Sequence, residues 1–169
     1  EVADTNSLLQ GIYKSNFNFS ESFPLRKVNS IYFDDSKLTS IYQNLDGIAE
    51  KRKLRIRWYG EKNTITNPVI EIKSKKGFIV YKKTILMNIK KPLSFEIDSI
   101  NEIQKIISDK IDSAKSLIPT ISTHYERYYF ESANSNVRAT LDKNLSSLML
   151  YKYCNYKILK NFKYKVLEI

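Results

Sequence analysis

Cysteine and histidine are nearly missing from this sequence, each occurring once, as Cys154 and His124. One thiol cannot close an internal disulfide, and one thiol with one imidazole cannot build a zinc site. Both residues are therefore read as structural, Cys154 as a small buried or half-buried side chain. These absences argue against zinc chemistry and Cys–His catalysis. They suit a reducing compartment, so the expected localisation is cytoplasmic. Proline and glycine are scarce, four of each. No linker-like stretch or internal repeat divides the chain, so residues 1–169 are read as a single domain. No apolar run approaches the ~20 residues that span a bilayer, so no transmembrane segment is expected. No charged-then-apolar leader is present. The chain opens at Glu1 and stops inside a strand-like run at Ile169, so it is expected to be truncated at both ends.

Positive charge is abundant. There are 28 Lys and Arg against 18 Asp and Glu, a formal net charge of +10. Such an excess favours an anionic partner: nucleic acid, an acidic membrane or a phosphate-rich small molecule. Hydrophobic residues make up 42%, enough for a core and too many for a disordered chain.

Residues 4–14 are expected to be helical, with Leu8, Leu9 and Ile12 on one face. Residues 15–27 read as a polar and aromatic connection containing Pro24. Val28 to Phe33 reads as a strand, and Asp34, Asp35 and Ser36 offer N-caps for a short helix that ends near Leu45 and is closed by Gly47. Residues 50–59, 68–75, 78–87, 121–131, 136–142 and 163–169 read as strands. Lys76-Gly77 is a candidate hairpin turn, and residues 133–136 a looser one. Ile100, Ile103, Ile107 and Ile111 recur at helical spacing within a helix over 98–116. Residues 144–160 show no clear period. The expected fold class is α+β, an antiparallel sheet or barrel with helices packed around it.

Side chains on a strand alternate between faces. Lys51, Lys53, Arg55, Arg57 and Tyr59 share one face, and Leu54, Ile56 and Trp58 the other. Val69, Glu71, Lys73 and Lys75 oppose Ile70 and Ile72. Thr123, Tyr125, Arg127 and Tyr129 share a face, as do Arg138, Thr140 and Asp142. Two arrangements fit: a sheet with its charged face in bulk water, or a barrel whose charged faces line a wet tunnel beneath outer helices. Pattern cannot separate them. Arg55 and Arg57 stand about 7 Å apart along a strand, so each guanidinium can fork onto a separate phosphate. Glu71 and Glu168 lie among basic residues, as salt-bridge partners or as oxygen ligands for Mg²⁺ or Mn²⁺.

An ordered set of motifs runs from Ser30 to Ile169. Ser30-Ile31-Tyr32-Phe33-Asp34 followed by Asp46-Gly47 resembles the opening signature of the VTC domain, a branch of the triphosphate tunnel metalloenzymes. Residues 53–60 (Lys-Leu-Arg-Ile-Arg-Trp-Tyr-Gly) resemble its central basic strand. Ile70-Glu71-Ile72-Lys73 and Val80-Tyr81-Lys82 resemble its next hairpin. Tyr125-Glu126-Arg127 and residues 137–142 resemble its later strand pair, and Val166-Leu167-Glu168-Ile169 the start of its last basic strand. The resemblance implies a closed antiparallel β-barrel, the triphosphate tunnel fold, with helices outside. It implies that Arg55, Arg57, Lys73, Arg127 and Arg138 bind the phosphate chain and carry the reaction, with Lys53, Lys82 and Tyr125 binding substrate beside them. Glu168 is the implied first choice as ligand for Mn²⁺ or Mg²⁺, with Glu71 and Asp142 behind it. Two family segments have no counterpart in these residues: a first strand carrying a phosphate-binding lysine, and a Ser-Lys segment with a closing helix after Glu168.

The function so implied is metal-dependent phosphoryl transfer on a nucleoside triphosphate or polyphosphate. With a phosphate-chain end as acceptor it is polyphosphate synthesis, and with water it is hydrolysis. A non-catalytic polyphosphate- or polyanion-binding module is the alternative, and nucleic-acid binding is a weaker one. Nucleic acid is not the expected partner, because most of the 12 Tyr and 8 Phe sit in strands with core-like alternation.

Overall fold

The computed structural model describes residues 4–150 and 159–169. The chain forms α1 (Thr5–Tyr13), β1 (Ser20–Asp34), α2 (Thr39–Leu45), β2 (Lys51–Tyr59), β3 (Thr64–Ile65), β4 (Val69–Lys76), β5 (Ile79–Leu86), β6 (Leu93–Ser94), α3 (Ile97–Lys110), β7 (Ile118–Glu131), β8 (Arg138–Met149), β9 (Leu159–Asn161) and β10 (Val166–Glu168). Strands β10-β8-β7-β1-β2-β4-β5 form one antiparallel sheet in that order, and β9 also pairs with β8. The short strands β3 and β6 pair separately. The α+β class is as expected. No hydrogen-bonded ladder joins β5 to β10 among the described residues, so the architecture observed is a large antiparallel sheet rather than a closed barrel.

Two faces of this sheet have opposite characters. On one, Ile31, Phe33, Leu54, Ile56, Trp58, Ile70 and Ile72 are buried beneath α3, which contributes Ile100, Ile103 and Ile107. The spacing of these isoleucines puts them on one helical stripe, and the stripe meets the aliphatic rows of β1, β2 and β4. Truncating Ile103, which is fully buried, would cost about 2–5 kcal/mol. A second cluster packs Ile12 of α1 with Phe19, Phe130, Ala139 and Leu141, over β7 and β8. Both helices therefore cover the aliphatic side and leave the charged side open.

Several element bounds differ from expectation for local reasons. β1 begins at Ser20, so the expected connection is strand. Its first half pairs with β7 alone, because pairing with β2 begins only at Val28. An unpaired edge tolerates Pro24, whose missing N–H coincides with register shifts between Glu21 and Arg26. β8 runs on to Met149 through a bulge: Ser146 and Lys143 pair with His124 and Glu126, one extra residue on β8, and Asn144 takes a positive φ of 53°. β10 is confined to Val166–Glu168, and α3 ends at Lys110 before a short 3₁₀ turn. Gly77 (φ 58°) opens the two-residue loop between β4 and β5, where a positive φ favours glycine. Cys154 lies outside the described residues.

The Asp34 carboxylate organises α2. It accepts from the backbone N–H of Asp35 (2.9 Å), Ser40 (3.0 Å) and Ile41 (3.1 Å). Asp35 accepts from Lys37 and Thr39. The N-cap position is Leu38, which makes no side-chain cap bond, so none of the expected N-cap residues occupies it; Asp34 and Asp35 instead satisfy first-turn donors of the seven-residue helix from the end of β1. Gly47 follows with φ 68°.

Candidate functional site

The charged face lines a partly open hollow of about 760 Å³. Its lining comes from every strand of the main path: Tyr32 of β1, Lys53, Arg55 and Arg57 of β2, Glu71 and Lys73 of β4, Val80 and Lys82 of β5, Thr123, Tyr125 and Arg127 of β7, Asp142 and Leu145 of β8, and Val166 and Glu168 of β10. Seven flat strands would extend over roughly 29 Å at ~4.8 Å spacing. One hollow touching β5 and β10 as well as the central β1 requires the sheet to curl. The cations therefore converge rather than splay into bulk solvent.

Register explains which side chains meet. Tyr32, Arg55, Glu71 and Thr84 form one row across β1, β2, β4 and β5, and Lys53, Lys73 and Lys82 form the next. In the first row Arg55 donates from Nε to Glu71 Oε2 (2.7 Å) and from Nη1 to Tyr32 Oη (2.8 Å). Lys82 Nζ reaches Glu71 Oε1 at 2.8 Å, and Arg57 Nη1 lies 3.8 Å from Oε2. Burial alone would raise the Glu71 pKa, but Lys82, Arg57 and Arg55 outweigh it and hold the carboxyl at about 2. Glu71 is therefore ionised and surrounded by three cations.

The second row is less balanced. Three lysines stand opposite one another, a repulsive arrangement in which Lys82 has Glu71 as its counter-anion and Lys53 and Lys73 have no carboxylate partner among the described residues. Lys53 donates to Asn44 Oδ1 of α2 (2.9 Å). Burial, then Lys51, Lys73 and Arg55, push its ammonium below the ordinary lysine value. On the far wall Arg127 grips Asp142 with two donors, Nη2 to Oδ2 at 2.6 Å. Arg57 is buried, donates to Tyr125 Oη at 3.4 Å, and has its Nε without a partner. The hollow thus carries six cationic side chains against three carboxylates, with an unmatched buried donor.

A family model described as the VTC domain matches residues 12–169. The chain belongs to the VTC domain family. No curated protein matches the sequence.

Within this VTC domain, seven of the eight side chains expected to touch phosphate line the hollow: Lys53, Arg55, Arg57, Lys73, Lys82, Tyr125 and Arg127. Arg138 does not. Its side chain is 81% exposed and pairs with Glu131 at 3.2 Å. It has the same facing as Asp142, but it stands four residues, about 13 Å, further along β8, at the last rung with β7. Alternation predicts facing; it does not predict height along the strand.

The carboxylates of the VTC domain differ in commitment. Both Glu71 oxygens are held by cations, as in a residue that orders basic side chains. Asp142 is clamped by Arg127. Glu168 is 67% exposed at the lining, and its one cationic partner among the described residues is Arg127, with Nη2 at 3.8 Å. No group of three or more His, Cys, Asp or Glu that could hold a metal is found among the described residues. A site with one open carboxylate suits Mg²⁺ or Mn²⁺, which complete their shells with water and substrate phosphates.

Sequence reasoning missed Tyr32, Asn44 and Leu145. Tyr32 could have been found from the shared facing of Ser30 and Tyr32 on β1. Asn44 arrives through the docking of α2, and Leu145 turns inward only because of the β8 bulge. His124, expected to be structural, is buried on the opposite face, between Ser122 Oγ (2.7 Å) and Asn29 Oδ1 (2.9 Å). Asn29 donates to the Gly60 carbonyl, so its oxygen accepts, and His124 carries its proton on Nδ1. Burial, then Lys62, push its pKa down to about 4.

Proposed function

We propose that the hollow takes the phosphate chain of a nucleoside triphosphate or polyphosphate, that the curled sheet is the wall of a tunnel, and that the domain transfers a phosphoryl group. The observation that carries this reading is the convergence of Lys53, Arg55, Arg57, Lys73, Lys82 and Arg127 on one hollow. A triphosphate answers the lysine row, whose mutual repulsion an anion relieves. It also offers acceptors for the unmatched Arg57 Nε.

Phosphoryl transfer asks little covalent help from a protein. It needs an aligned chain and compensated charge. Arg55 and Arg57 would hold successive phosphates, with Glu71 and Tyr32 keeping the Arg55 guanidinium in place. Arg127, fixed by Asp142, would grip the chain from the opposite wall. A Mn²⁺ or Mg²⁺ ion held by Glu168 and phosphate oxygens would supply further charge neutralisation. Transfer to a phosphate-chain end yields polyphosphate, and transfer to water yields hydrolysis.

Incubating the protein with ATP and Mn²⁺, then separating long polyphosphate from free phosphate, tests the proposal. Either product, lost on Arg55→Ala with Arg57→Ala, supports it. Saturable triphosphate binding without product would leave a binding module and overturn the catalytic part.

A further inference from the structure

The hairpin of β4 and β5 places large apolar side chains in water. Lys51, the first residue of β2, pairs with Lys75, so Lys76 and Gly77 run about 7 Å past the end of the neighbouring strand. Phe78 is fully exposed at the tip, and Ile79, Val80 and Tyr81 behind it are exposed as well. None of the four belongs to either buried cluster. Two lysine pairs frame them in the chain, Lys75-Lys76 before and Lys82-Lys83 after. Lys82 is held by Glu71, and Lys76 lies 3.9 Å from Glu50. Lys75 and Lys83 form no ion pair among the described residues. Apolar side chains set out in this way invite association with whatever covers them.

A basic depression of about 430 Å³ lies behind the tip, lined by Arg52, Ile72, Ser74, Tyr81, Lys83 and Lys110. Register puts it on the outer face, opposite the phosphate hollow. Arg52, Ser74 and Tyr81 form one row across β2, β4 and β5, and Ile72 and Lys83 belong to the next. Lys110 comes from the last turn of α3. Arg52 donates to the neutral Ser113 Oγ at 2.7 Å. Arg52, Lys83 and Lys110 have no carboxylate partner among the described residues. An apolar tip backed by cations matches the profile of a bilayer surface, where acyl chains lie beneath an anionic headgroup layer roughly 5–8 Å deep. With Ile79 at the acyl boundary, Tyr81 stands about 7 Å back, among the headgroups, where amphipathic rings settle. Lys83 is one more repeat away and extends its ammonium toward lipid phosphate. A soluble polyanion would meet the cations but leave Phe78 and Ile79 in water.

We infer that the β4–β5 hairpin docks the domain on an anionic bilayer, with Phe78 and Ile79 entering the acyl boundary and Arg52, Lys83 and Lys110 holding lipid headgroups. This surface uses none of the cations proposed to grip a phosphate chain, so the two readings stand or fall separately.

Co-sedimentation at physiological salt tests this, comparing phosphatidylcholine vesicles with and without phosphatidylserine. Each lysine near an anionic surface is worth about fivefold in affinity, so wild type is expected to prefer the anionic vesicles about tenfold or more. Phe78→Ser should weaken that binding about tenfold, and Lys83→Ala with Lys110→Ala by a similar factor. Phe78 is fully exposed, so its replacement removes no packing, and tripolyphosphate binding should stay within about twofold. Phe78→Trp should keep vesicle binding and report the insertion. The one native tryptophan, Trp58, is fully buried, so a blue shift on adding anionic vesicles comes from residue 78. No binding of wild type to anionic vesicles overturns the inference. Binding that Phe78→Ser leaves unchanged, or that brings no blue shift, is plain surface adsorption and also overturns it. Loss of vesicle binding on Arg55→Ala with Arg57→Ala would give the headgroups to the hollow instead. Wild type that self-associates without lipid, and separates on Phe78→Ser, would assign the tip to a second copy of the chain and overturn the bilayer.

Discussion

Arg55 and Glu71 face each other across β2 and β4, and the guanidinium Nε donates to the carboxylate over 2.7 Å. The same carboxylate holds Lys82 at 2.8 Å, so one anion fixes cations from two neighbouring strands. Glu71→Gln should therefore lower stability at pH 7 by about 2 kcal/mol, less than a fully buried pair because Lys82 is half in solvent. The folded carboxyl titrates at about 2 against an ordinary 4.5. Its contribution is present above pH 4.5 and is lost as pH falls toward 2. Urea midpoints of wild type and variant should converge over that window; a difference that persists at low pH would refute the charge argument.

Removing Arg55 and Arg57 together should weaken tripolyphosphate binding about a hundredfold or more, since each charged hydrogen-bonding group contributes roughly 1.5–3 kcal/mol. Arg138→Ala should change it by less than about twofold, because that side chain pairs with Glu131 outside the hollow. Calorimetry distinguishes the two positions directly. A large loss at Arg138 would place the phosphate chain somewhere other than the hollow.

Glu168→Gln should abolish metal-dependent product from ATP yet leave tripolyphosphate binding in EDTA within about threefold. Its carboxylate is the least committed of the three in the hollow, with one cation at 3.8 Å. Equal metal dependence in variant and wild type would assign the ion to another ligand.

Buried neutral His124 makes stability pH-dependent in a second window. Its folded pKa of about 4 lies below the ordinary 6.5. The unfolded chain therefore takes up a proton first, and the contribution is full above pH 6.5 and falls as pH drops toward 4. His124→Gln should flatten the change in urea midpoint between pH 7 and pH 5. An unchanged slope would mean that other groups set the acid sensitivity there.

Asp34→Ala should cost about 2 kcal/mol by stripping the backbone N–H groups of Asp35 and Ser40 of their acceptor and that of Ile41 of one of its two, the other being the Leu38 carbonyl. It should also loosen α2, whose Asn44 holds Lys53 at 2.9 Å. Faster amide exchange across Thr39–Leu45 is the expected readout, and protection equal to wild type would show that α2 is held by packing instead.

Local and periodic features were legible before any coordinates. The isoleucines of α3, the aspartates before α2, the turn at Gly77 and the alternation along β2 all depend on neighbours a few residues away. Their facings follow from strand and helix geometry alone, so Lys53, Arg55 and Arg57 could be placed on one side of β2. Alternation is the same, however, whether a charged face looks into water or into a hollow. Only the curling of β5 and β10 toward one space, with α1 and α3 on the outer side, decided between them. Height along a strand was equally hidden. Arg138 and Asp142 share a facing, yet one lies beyond the hollow and the other on its wall. Long-range register, set by Pro24 and the extra residue in β8, fixes that height through pairings between residues far apart in the chain, which no single strand's pattern contains.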